Sequence, residues 1–179
     1  MKLNLILSLV IFSTVGALTV SAQIASASAN LRNFHEVNDK LYRGGQPKDD
    51  EFAELKKLGI VTVIDIRDND DNALKEKAMV EKAGMRFINY PLGNWSRPDI
   101  QDIDKILAEI AVPANQPVFV HCKRGSDRTG TVIAVYRIAH DDWDAKRASD
   151  EAKTFGIGWW EFGMKDFIND YYRDHSPKK

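Results

Sequence analysis

A chain of 179 residues with 44% hydrophobic and 28% charged side chains suits one globular domain and is neither disordered nor fibrous in composition. A formal net charge of −1 supplies no global basic field, which argues against a nucleic-acid partner. With Cys122 as the single cysteine no internal disulfide can form; a lone thiol in an exported protein invites a functional explanation, the alternative being a buried, inert side chain.

The first residues stand apart. After Lys2, the run from Leu3 to Val20 is almost unbroken apolar, and small residues at Ala22, Ala25, Ala27 and Ala29 offer several cleavage registers. Residues 1–22 therefore read as a signal peptide, with cleavage expected after Ala22 and other registers as far as residue 29. The competing expectation is an uncleaved membrane anchor, since about 18 to 20 apolar residues can span a bilayer. Either way the domain is expected outside the cytosol, periplasmic or secreted, touching a membrane only if that segment is retained. Cleavage removes Lys2 and no acid, which moves the net charge to −2.

No repeat or Pro/Gly-rich linker divides residues 30–179, which read as a single domain expected to be a monomer. Phe34, Val37, Leu41 and Tyr42 suggest a short opening strand or hairpin that ends at a Gly44-Gly45 turn. Pro47 then starts a helix through Leu58, closed by Gly59. Ile60 to Ile66 is β-branched and apolar on both faces, as a strand buried in a parallel sheet would be, and the acidic stretch Asp68 to Asp71 is a loop. A helix from about Ala73 to Ala83 stops at Gly84, a strand runs from Met85 to Tyr90, and a loop from Pro91 to Pro98 leads into a helix from about Asp99 to Ile110.

Pro117 to His121 is another short buried strand, and Thr129 to His140 a helix. The tail adds a helix from about Asp144 to Thr154, a Gly156-Ile157-Gly158 break, and a last helix from Trp159 or Trp160 to Tyr172. Aromatic residues leading such a helix are more often core than lid, so the cluster Trp159-Trp160-Glu161-Phe162 is expected inside. Repeated β-α units imply an α/β fold, with a mainly parallel sheet of about four to five strands flanked by helices.

The chemistry concentrates in His121-Cys122-Lys123-Arg124-Gly125-Ser126-Asp127-Arg128-Thr129-Gly130. This string sets a cysteine at a strand's carboxyl end and an arginine six positions later, at the start of a helix. In such a turn the amides of residues 123 to 128 form a nest, and the helix adds its unpaired N–H groups and positive dipole end, which together hold an oxyanion without a metal. The same field favours thiolate over thiol at Cys122. Arg128 offers a planar fork of donors matching two phosphoryl oxygens. Gly125 allows the close turn, Gly130 allows tight packing of the first helical turn, and Thr129 can donate its hydroxyl to the sulfur.

HCKRGSDRTG resembles the H-C-x5-R-S/T-G motif of the cysteine-based protein-tyrosine and dual-specificity phosphatases. Tyr42-Arg43-Gly44-Gly45-Gln46-Pro47 is similar to an early Y-R-S-x-Q-P segment of that family, and Val63 to Arg67 to its strand ending in Leu-Arg or Ile-Arg. The resemblance covers roughly residues 32 to 140. It implies the tyrosine/dual-specificity phosphatase-like fold, no cofactor or metal, and a phosphorylated protein or small phosphorylated substrate. It also implies a two-step reaction in which Cys122 attacks phosphorus, a general acid protonates the leaving oxygen, and water hydrolyses the phosphocysteine.

The pattern departs at the acid. Where the family has an aspartate after the strand Phe87 to Tyr90, this chain has Asn94, which cannot donate as an acid. Asp99 is the nearest carboxylate but equally suits a helix N-terminus, with Asp102 behind it and Asp127 inside the loop as a third candidate. His121 either tunes the thiolate through the loop backbone or fills the strand end. Lys123 and Arg124 are either solvated charges or an enlarged positive field for multiply phosphorylated substrates. The leading expectation is hydrolysis of phosphotyrosine, with phosphoserine and phosphothreonine as further substrates. The alternatives are an inositol-phosphate or phosphoinositide phosphatase, a phosphate-binding pseudoenzyme and, last, a sulfurtransferase or reductase.

Overall fold

The computed structural model describes residues 30–94 and 96–175, so the signal-peptide expectation lies outside the described residues. Five strands, β1 (His35–Asn38), β2 (Leu41–Gly45), β3 (Thr62–Asp65), β4 (Arg86–Asn89) and β5 (Val118–Cys122), form one sheet in the order β1-β2-β5-β3-β4. Only the β1–β2 pair is antiparallel; β2–β5, β5–β3 and β3–β4 are parallel, as the buried apolar strands require. The helices are α1 (Glu51–Lys57), α2 (Asp71–Lys82), α3 (Ile100–Ala111), α4 (Asp127–His140), α5 (Ala145–Thr154) and α6 (Phe162–His175). Among the described residues no helix is long and apolar enough to cross a membrane.

The sheet's two faces carry separate cores. Phe34, Tyr42, Phe52, Leu55, Val63, Val80 and Phe119 pack on the side of α1 and α2. Leu41, Ile64, Val118, Val120 and Cys122 pack with Ile103, Ile106, Val132, Ile133, Phe167 and Ile168 of α3, α4 and α6 on the other. Strand period 2 thus sends Val118, Val120 and Cys122 to one face and Phe119 and His121 to the opposite one.

Three expectations are corrected. Gly44 and Gly45 do not make a turn: they are the last residues of β2, paired with His121 and Cys122, and the hairpin turn falls at Asp39-Lys40. Their lack of a side chain serves close approach, because a Cβ on Gly44 would sit 2.7 Å from the Phe119 ring. Second, α1 starts at Glu51 rather than Pro47. Third, α6 starts at Phe162, and the cluster before it is not core: Trp159, Trp160 and Phe162 are 73%, 41% and 63% exposed, with only Glu161 buried. The buried stripe of α6 begins at Met164 and continues through Phe167, Ile168 and Tyr171, leaving the leading aromatics off that face.

Candidate active site

Cys122 ends β5 and Asp127 opens α4, so residues 123–126 form the turn between them. Ser126 stands at the N-cap of α4 but makes no side-chain cap, which leaves the first-turn amides without a local acceptor. Gly125 has φ +74 and lies so close to β2 that a Cβ would come within 2.4 Å of the Gly44 carbonyl carbon. Only glycine fits there, and its N–H donates to Cys122 Sγ at 3.3 Å.

A cavity of about 290 Å³ opens above the turn, lined by Arg32, Asn94, Cys122, Lys123, Arg124, Asp127 and Arg128. Burial alone would push the Cys122 thiol up. The Thr129 hydroxyl and amide, the Arg128 charge and the Arg124 amide outweigh it and hold the thiol below its ordinary value. Thr129 Oγ1 is buried beside the sulfur and has no other partner. Arg128 is itself buried and donates from Nη1 to the Leu92 carbonyl at 3.3 Å, a tether from the loop after β4 that aims the guanidinium.

The predicted residues divide into two sets. Cys122, Lys123, Arg124, Asp127 and Arg128 line the cavity, while His121, Gly125, Ser126, Thr129 and Gly130 belong to the same strand end, turn and first helical turn without being among its lining residues. Gly130 faces Ala152 of α5, 3.6 Å from where its Cβ would be, so its smallness serves helix packing. Of the three carboxylates considered as acids, only Asp127 is at the cavity wall, with Oδ2 accepting from Arg124 at 2.6 Å and Oδ1 from the Gly158 amide at 2.8 Å. Asp99 is the exposed N-cap of α3, accepting from Gln101 N at 2.8 Å, and Asp102 pairs with Lys105 at 2.9 Å.

Arg32 was not anticipated from the sequence. It reaches the cavity because its carbonyl accepts from Gly45 N at 2.7 Å, which lays the N-terminal segment along the end of β2. Behind the thiol, His121 is fully buried with Nε2 2.7 Å from Glu76 Oε1 and Nδ1 3.4 Å from the Cys122 carbonyl. Arg67 Nη2 bridges Glu76 at 2.6 Å and Asp65 at 2.7 Å. Burial pulls the His121 pKa down, but Glu76, by charge and hydrogen bond, and Asp65 raise it above its ordinary value. Asp65, Glu76 and His121 bring potential metal ligands within 4.8 Å of one another, yet the Arg67 guanidinium already holds both carboxylates.

Comparison with known proteins places this geometry. The family model described as "DSP-PTPase phosphatase fused to NAD+ Kinase" matches residues 12–166. The dual specificity protein phosphatase TpbA of Pseudomonas aeruginosa strain UCBPP-PA14 is 31% identical over 138 residues, 76% of this chain and 59% of that one. The inositol diphosphatase DSP2 of Oryza sativa subsp. japonica is 31% identical over 133 residues, 69% of this chain and 61% of that one. The chain thus spans about three fifths of the length of these curated relatives. The core catalytic domain of the PP-IP phosphatase SIW14 from S. cerevisiae superposes with a TM-score of 0.69 at 24% identity, covering 79% of this chain and 86% of that one, and shows the shared fold. With its family model matched over most of its length and its cysteine-arginine loop folded as a nest, the chain belongs to the DSP-PTPase phosphatase family.

Proposed function

We propose that this protein is a phosphomonoesterase that works through a phosphocysteine. The observation that carries the reading is a depressed thiol and a buried arginine sharing one cavity with uncapped helix amides. The Cys122 thiolate attacks phosphorus, the bond to the ester oxygen breaks, and the leaving oxygen takes up a proton. Water then attacks phosphorus, the S–P bond breaks, and inorganic phosphate departs with the thiolate restored.

The one carboxylate on the described cavity wall, Asp127, already accepts on both oxygens. Such a wall favours leaving oxygens that depart readily as anions, such as the phenol of phosphotyrosine with its pKa of about 10, over alkyl esters. Hydrolysis of p-nitrophenyl phosphate and of a phosphotyrosine peptide, abolished in Cys122→Ser, is the expected result. Hydrolysis that survives Cys122→Ser, or binding without turnover in the wild type, overturns the reading. The pH–rate profiles of Asp99→Asn and Asp127→Asn assign the proton donor: the variant that loses the limb of the protonated acid carried it.

A second reading is favoured by Arg32, Lys123, Arg124 and Arg128 all lining the cavity, and by the room of a neighbouring cavity of about 350 Å³ that shares Asn94, Lys123 and Arg128 with it and adds Arg67 beside the carboxylates of Asp68 and Asp70. Space and positive charge of that kind suit an inositol phosphate, and the rice relative is named an inositol diphosphatase. Turnover of inositol polyphosphates faster than of phosphotyrosine peptides decides for it. Export is proposed from the apolar segment before Gln23; a mature protein recovered outside the cytoplasm with Gln23 at its N-terminus supports it, and a chain retained intact in the cytosol refutes it.

A further inference from the structure

Arg43 is 1% exposed, lies on β2, and has no place among the groups that line the cavity. Its Nη2 donates to the Gly125 carbonyl at 2.7 Å, and its guanidinium carbon lies 4.0 Å above the Phe155 ring. Its Nε and Nη1 are buried without partners, a costly arrangement that needs a reason. Asn33 converges on the same oxygen, donating to the Gly125 carbonyl at 2.9 Å and to the Phe155 carbonyl at 3.0 Å, from a backbone held at φ +51.

The reason lies in peptide geometry. A trans peptide is planar, so a carbonyl and the next residue's N–H point in opposite directions. Two donors that hold the Gly125 oxygen on the protein side therefore turn the Ser126 N–H the other way, toward the anion. Among the described residues no oxygen accepts from Ser126 N. The same device recurs two residues earlier, where the Lys123 carbonyl accepts from Gln46 N at 3.4 Å and the Arg124 amide turns toward the sulfur.

We propose that Arg43 and Asn33 are positioning residues of the phosphate loop, clamping the Gly125 carbonyl so that the Ser126 amide is preset as an oxyanion donor. This rests on the phosphatase reading and deepens it, because a nest set in advance holds transferring phosphoryl oxygens without reorganising. The Arg43 charge also bears on the sulfur. Burial lowers the arginine to about 10, and it faces Cys122, Glu151 of α5, Arg137 of α4 and His35 of β1, so at neutral pH it remains a cation behind the thiolate.

The test uses inorganic phosphate and iodoacetamide as probes, which read the loop without turnover. Asn33→Gly keeps the left-handed backbone and removes the carboxamide with its bonds to the Gly125 and Phe155 carbonyls; it is expected to weaken phosphate binding about five- to tenfold, the worth of the one bond that holds the Gly125 oxygen. Arg43→Met is expected to weaken it more than tenfold and to move the alkylation midpoint of Cys122 upward, while Arg43→Lys, keeping the charge, holds that midpoint near wild type. Unchanged phosphate affinity and an unchanged midpoint in folded variants, even with a lowered Tm, overturn the proposal by assigning a purely structural role. Should Arg43→Met fail to fold, Asn33→Gly decides alone. Wild-type hydrolysis that survives Cys122→Ser sinks the phosphatase reading instead, so the two failures are distinguishable.

Discussion

Glu76→Gln probes the buried network behind the thiol. The change keeps shape and volume but removes a carboxylate 2.7 Å from His121 Nε2 and 2.6 Å from Arg67 Nη2, with His121 wholly out of water. Breaking one member of a buried charge pair costs about 3–5 kcal/mol. Arg67 retains its two hydrogen bonds to the Asp65 carboxylate, so a loss near about 3 kcal/mol is expected. The loss also depends on pH. Because the folded pKa of His121 is raised, the Glu76 contact contributes fully below the unfolded value of about 6.5 and fades as pH climbs through the folded value. Each unit of that elevation is worth about 1.4 kcal/mol. Urea denaturation at about pH 5.5 and at stepwise higher pH should give a difference between wild type and variant that is largest at the acidic end and shrinks as pH rises. A difference that grows with pH, or none at about pH 5.5, refutes the reasoning.

Three further outcomes are expected. Alkylation of Cys122 by iodoacetamide should stay fast below the free-cysteine pKa of about 8.5 and fall only as pH drops through the depressed value; a midpoint at or above that of free cysteine refutes the ionised nucleophile. Gly125→Ala should cost more than about 2 kcal/mol and most of the activity, because it adds a Cβ at φ +74 against the Gly44–Gly45 backbone, and thermal unfolding measures the loss. Trp159→Ala, at a 73% exposed side chain, should change stability by less than about 0.5 kcal/mol, and a loss of several times that would restore the residue to the core.

Much of the fold was legible because local chemistry and tertiary placement agree. The β-branched run Ile60 to Ile66 became β3, Pro117 to His121 became β5 shifted by one residue, and Asp99 and Asp144 cap the helices they precede. The loop from Cys122 to Arg128 was legible for the same reason, since strand end, glycine and helix start all fall within one short string. Glu76 was not legible: it sits in the charged run Lys75-Glu76-Lys77, which reads as a solvated face, and only packing of α2 on β5 brings it to His121. Asn33, Arg32 and Arg43 meet the loop through β2, a parallel pairing of distant segments that no periodicity announces. The aromatic cluster is deceptive in the sequence because its hydrophobicity says nothing of direction: the Gly158 amide is bonded to Asp127 just before the two tryptophans, and the buried stripe of α6 starts only at Met164.

The thiol that gives the cavity its nucleophile is also its point of attack by oxidants. A depressed pKa exposes sulfur to peroxide as a sulfenic acid, and this chain holds no second cysteine to trap that species as an internal disulfide. Recovery then falls to an external thiol, or to a neighbouring main-chain nitrogen closing a sulfenamide ring. Persistence of the proposed turnover under oxidising conditions would depend on the reductant supplied by its surroundings.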